Sequence, residues 1–110
     1  MIKHDLYNYN MVNNVKIEGY LPFDAQVFET NKNMCSFTIC NEQGKYKHYF
    51  KIITFGDVAN IAKTFKKGSL VFVEGNLRSR KWNNQNIIEI NAISVEKQIR
   101  TPRSESTLPF

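Results

Sequence analysis

Two short stretches of this sequence set aromatic rings and cations on a single parity. In the run from Tyr46 to Phe55 the odd positions include Tyr49, Lys51 and Phe55, and in the run from Leu70 onward the even positions include Arg78, Arg80 and the only tryptophan, Trp82, with Lys81 beside them. Alternate residues of an extended strand share a face, so each stretch offers rings interleaved with positive charge. Nucleobases stack on ring faces whatever their identity, at about 1–3 kcal/mol each, while a nearby cation neutralises the accompanying phosphate. Taken singly, the first stretch serves equally well as barrel core or subunit interface; the second is harder to explain as packing, its other reading being a solvated basic hairpin with an incidental tryptophan. Repetition favours binding, because clustering several cations in an interior without acidic partners is costly.

Other chemistries find little support. The sequence has no paired carboxylate site, no nucleophile and base at recognisable spacing and no Gly-rich phosphate loop, so an enzyme is not expected. Gly56, Gly68 and Gly75 are read as turn, helix-stop and bulge positions. Cys35 and Cys40 differ in parity and point to opposite faces if they share a strand, so two reduced thiols are expected. With two distant histidines, His4 and His48, there is no zinc-ligand spacing. No metal, cofactor or small-molecule substrate is expected. No apolar run approaches the roughly 20 residues that span a bilayer, and no apolar stretch follows Lys3 and His4 as a leader requires, so a cytoplasmic protein without membrane contact is expected. Fifteen Lys and Arg against ten Asp and Glu give a net charge of +5, which favours a polyanionic partner.

The elements that must hold the two stretches follow from periodicity. A length of 110 residues suits one domain. Residues 1–10 read as an N-terminal extension and residues 11–96 as the domain. Residues 97–110, with Pro102, Pro109 and several Ser and Thr, read as a flexible tail. From Met11, Val15, Ile17 and Gly19 alternate with polar residues as a first strand. After a Pro22 to Asn33 loop, Phe37 and Ile39 mark a second strand, and Asn41 to Lys45 turns through Gly44 into a third, Tyr46 to Phe55. Between Gly56 and Gly68, Asp57 is expected to cap a helix whose apolar face is Val58, Ile61, Ala62 and Phe65, with Lys66 and Lys67 in its last turn. Leu70 to Arg80 and Ile87 to Glu96 complete the set, joined by a polar loop from Lys81 to Asn86. Three strands, one helix and two strands match an all-β, five-stranded Greek-key OB-fold barrel with one short helix between strands 3 and 4. Leu70, Phe72 and Val95 are candidates for a subunit interface.

At these positions the chain resembles the bacterial single-stranded DNA-binding proteins. The resemblance runs in order from about residue 11 to 96 through Val15-x-Ile17-x-Gly19-x-Leu21, Ser36-Phe37-Thr38-Ile39, Lys51-Ile52-Ile53-Thr54-Phe55-Gly56, Ala59-x-x-Ala62, Lys67-Gly68-Ser69-Leu70-Val71-Phe72-Val73-Glu74-Gly75-x-Leu77 and Arg78-Ser79-Arg80-Lys81-Trp82. It implies an OB barrel, a homotetramer, and sequence-independent binding of single-stranded DNA in replication, recombination and repair. Position by position it implies that Tyr49, Phe55 and Trp82 stack bases and that Lys51, Arg78 and Arg80, with Lys81 adjoining, contact the backbone. Tyr49 stands where a larger indole is common, and the loops at 41–48 and 83–86 are short for the family. The closing residues Leu108, Pro109 and Phe110 resemble a tip with which such proteins dock DNA-processing partners. Here the acidic stretch before that tip is missing, since Lys97, Arg100 and Arg103 face Glu105 alone. A different binding class remains open: an OB-fold accessory subunit, primosome-like, acting mainly through protein contacts.

Overall fold

A computed structural model of the chain describes residues 11–27 and 33–99. Its order is β1 (Val15–Tyr20), β2 (Gln26–Val27), β3 (Met34–Gln43), β4 (Tyr46–Phe55), the helix α1 (Gly56–Ala62), β5 (Leu70–Trp82) and β6 (Gln85–Gln98). The sheet runs β1-β5-β6-β4-β3-β2, and an additional pairing of Tyr20 with Cys40 joins β1 back to β3. Five strands therefore close a ring, the OB-fold order, and only the two-residue β2 hangs outside it on β3. β2 lies in the segment read as a loop, because two residues carry no period.

The ring holds one apolar core of Leu21, Cys35, Phe37, Ile39, Ile52, Val71, Val73, Ile90, Ala92 and Val95, closed below by Ala59, Ala62 and Phe65. Phe65 meets Phe37 edge to face, centroids 5.5 Å apart and planes at 84°. Val95 thus belongs to the core rather than to an outer interface, while Leu70 and Phe72 are half-buried. The one buried hydroxyl on β4, Thr54 Oγ1, donates to the Cys35 carbonyl at 2.7 Å, a bond that offsets the cost of taking it out of water. Cys35 and Cys40 are both buried free thiols on opposite parities of β3, and burial pushes the Cys35 thiol up.

The helix is shorter than its sequence pattern. Asp57 sits in the first turn without capping, since the cap position is Phe55 and no side chain closes it. The last turn holds no basic residue. Thr64 stops the helix: its hydroxyl donates to the Ile61 carbonyl at 2.7 Å, and the amides of Thr64 and Phe65 bond three residues back. This tighter turn swings Phe65 into the core and leaves Ile61 exposed. Gly68, with φ +88, lies in the return loop and donates to the Leu21 carbonyl rather than ending the helix.

β5 and β6 are longer than their sequence patterns and make a two-residue hairpin. Asn83 and Asn84 take φ 52 and 64, the consecutive left-handed pair of a turn whose twist suits antiparallel strands. Both strands therefore extend past the ring. β5 also changes character at Gly75, where the register with β6 shifts between Glu74 and Gly75. A Cβ there would strike the Asn91 carbonyl, so only glycine lets the two backbones approach at this bulge. Beyond it β5 leaves β1, and the Asn13 side-chain amide covers the opened edge by accepting from the Leu77 amide and donating to its carbonyl, both at 2.8 Å.

Candidate nucleic-acid interface

The site forms where the lower end of β4 meets the free half of β5 across β6. Arg78 pairs with Glu89, Ile90 pairs with Ile52 one step on, and Lys51 pairs with Thr38. Arg78, Glu89, Lys51 and Thr38 therefore occupy one row over four strands. Side chains in such a row stand about 5 Å apart on one face. Lys51, Phe55, Arg78 and Arg80 come together there around an open groove of ≈ 220 Å³, floored by Met34, Ile53 and Glu89. The Arg78 guanidinium lies 5.9 Å from the Phe55 ring centroid, at the outer limit of cation–π attraction.

Tyr49, opposite Cys40 on the exposed half of β4, and Trp82, beside the β5–β6 turn, stand outside the groove, 59% and 58% exposed, and Phe55 is 42% exposed at its rim. Rings this open have unused faces. Trp82 is brought to the hairpin tip by its pairing with Gln85 across the Asn83-Asn84 turn. Lys81 is exposed but has the other parity, so strand alternation places it on the reverse side of the ribbon from Arg78, Arg80 and Trp82. Leu108, Pro109 and Phe110 lie outside the described residues, as do residues 1–10 and 100–110 altogether.

Sequence reasoning missed Glu89. It is an acid on a strand between isoleucines, and its side chain is only 3% exposed. Arg80 Nε donates to Oε1 at 3.1 Å and Nη2 to Oε2 at 3.0 Å, a side-on fork, while Lys51 Nζ lies 3.7 Å from Oε2. The Arg80 fork holds the Glu89 carboxyl below the usual carboxylate range despite burial, helped by Lys51 and Arg78, and Glu89 in turn raises Arg80. The signal was available in the register: counting back from the hairpin sets Glu89 opposite Arg78. Among the described residues no three His, Cys, Asp or Glu side chains gather as metal ligands, and no helix is long and apolar enough to cross a membrane.

The ring of strands and the groove on its outer face place the chain among the OB-fold barrels, a class that binds oligomers across its sheet face and loops. It belongs to the single-strand binding protein family, whose model matches residues 12–100. The chain is similar to a protein of Mycoplasma pneumoniae named single-stranded DNA-binding protein, 36% identical over 80 residues that make up 67% of this chain and 48% of that one. A protein of Thermotoga maritima with the same name is 51% identical over 35 residues, 31% of this chain and 25% of that one. The chain thus spans about half the length of the first relative and about a quarter of the second.

Proposed function

We propose that the chain binds single-stranded DNA without regard to sequence and serves replication, recombination and repair in the cytoplasm by coating unpaired strands, with no reaction catalysed. The observation that carries this reading is the gathering of Phe55, Lys51, Arg78 and Arg80 around one groove, with the exposed rings of Tyr49 and Trp82 on the same two strands outside it. Ring faces and phosphate contacts do not read base edges, so a site made of them is blind to sequence. Lys81 adds charge on the reverse of the hairpin, where a strand passing around the ribbon meets it. Membership of the family and the names of its relatives support the same ligand. The homotetramer and a docking role for Leu108, Pro109 and Phe110 rest on the family resemblance alone.

The test is a titration of the full chain with oligo-dT, following the emission of its one tryptophan. We expect strong quenching, similar affinity for mixed-sequence strands, and a log–log salt slope of about −0.7 per phosphate neutralised. Unchanged emission at saturation, or tighter binding to duplex than to single strand at equal salt, overturns the reading. A mass measurement that finds only monomer rejects the tetramer and leaves the DNA reading standing.

A further inference from the structure

A buried carboxylate is an unexpected component of a surface meant for a polyanion. Glu89 forms the floor of the groove, 3% exposed, with both oxygens engaged by the Arg80 fork and one of them near Lys51. The Lys51 and Arg80 side chains above it stay 47% and 39% exposed, so they are open to a ligand while already facing an anion. The groove's four charged groups, Lys51, Arg78, Arg80 and Glu89, therefore present a net charge one unit lower than their cations alone. Arg80 uses Nε and one Nη2 hydrogen on Glu89, the edge that would otherwise clamp a phosphate side-on.

We propose that Glu89 is a positioning residue that sets the strength and salt dependence of nucleic-acid binding. It holds the Arg80 guanidinium as a charge-compensated plate, which meets the ligand by its planar face, and it leaves phosphate neutralisation to Arg78 and Lys51. This rests on the single-strand reading above and refines it. Two structural facts support the assignment. The carboxyl is kept ionised by its neighbours, so compensation persists at neutral pH. Arg78, although it pairs with Glu89 across the strands, has its guanidinium over Phe55 rather than on the carboxylate, and so remains available to phosphate along with the half-exposed Lys51.

Three proteins decide the matter, each confirmed folded by thermal melting and titrated with oligo-dT over a salt series. Glu89→Gln keeps the shape and an acceptor for Arg80 but removes the negative charge. It should bind several-fold more tightly at low salt, with the slope steeper by about 0.7, because one more phosphate is neutralised. Arg80→Gln/Glu89→Gln removes the pair and conserves net charge, so its slope should match wild type and its affinity fall only by the loss of one stacking face. A carboxylate that is merely structural leaves the Glu89→Gln slope unchanged or weakens binding, and an Arg80 that clamps phosphate makes the double variant shallower than wild type by about 0.7. Either result overturns the proposal, and the double variant answers alone if Glu89→Gln does not fold. Failure of the single-strand reading is visible separately, as no binding of oligo-dT by the wild-type protein.

Discussion

The two halves of β5 do different work with the same backbone. From Leu70 to Gly75 the strand alternates buried and half-buried residues, is paired on both sides, and contributes Val71 and Val73 to the core. From Leu77 to Trp82 every residue is exposed and only β6 is paired. β4 repeats the division in the other direction, with Tyr46 to Lys51 exposed and Ile52 to Thr54 buried. Stability is concentrated in the ring, where apolar burial contributes about 25 cal/mol per Å². The exposed rings and cations of the proposed interface are concentrated on the strand segments that extend from it, where an unburied ring costs the fold little. Lys51, Phe55, Arg78 and Arg80 lie where the two regimes meet, which gives them a rigid base and an open upper side.

Four changes break or sharpen this division. Phe65→Ala should cost about 3–5 kcal/mol of stability in denaturant titration, since it empties the floor of the core, while affinity per folded molecule stays constant. Equal losses of stability and affinity would erase the distinction between ring and ribbon. Gly75→Ala acts at the joint itself. Its methyl meets the Asn91 backbone, so a loss of about 1–3 kcal/mol is expected together with weaker DNA binding as the free half of β5 is re-aimed. Trp82→Ala should weaken binding of a labelled oligonucleotide by about 1–3 kcal/mol. Its melting midpoint should hold, because surface changes usually stay within about 0.5 kcal/mol.

The smallest effect expected is one of pH. The Glu89 carboxyl is depressed in the folded chain, so its contribution is complete above the ordinary carboxylate pKa of about 4.3 and is lost as pH falls through the lower folded value. The difference in melting midpoint between wild type and Glu89→Gln should therefore shrink on acidification below pH ~4. A difference that is flat from neutral to acid pH would mean that Arg80 gives Glu89 no net support.

How far the sequence revealed all this depends on the kind of signal each element left. β4 was legible to its exact ends because Tyr46 to Phe55 is dense in aromatic and branched residues and bounded by two glycines. The bulge at Gly75 was legible for a related reason, a glycine inside a strand. The helix end was not, since Ile61 and Phe65 continue a helical spacing that Thr64 interrupts through its hydroxyl, and periodicity does not register a competing hydrogen bond. Of the site, each cation and ring could be named from parity. Their gathering could not, because Phe55 and Arg78 meet only through the pairing of β4 with β6. Glu89 was the costliest omission: a lone acid on a strand reads as solvent-facing until its cross-strand partner is known.

The wide separation in sequence of the residues that pair in the ring also has a kinetic side. β3 with β4 and β5 with β6 are hairpins closed by two-residue turns, whereas β1 must find β5 across most of the domain, Val15 against Gly75 and Tyr20 against Leu70. Hairpins form in about 1–10 μs, while contacts distant in sequence wait on loop closure and make folding slow. The ribbons bearing Tyr49 and Trp82 should therefore be assembled early and the first strand docked last. Ile17→Val should then speed unfolding and leave the refolding rate nearly unchanged in stopped-flow measurements, and a slowed refolding limb would reverse the order. On that sequence of events a chain still opening and closing its ring already carries the paired strands that hold Tyr49 and Trp82.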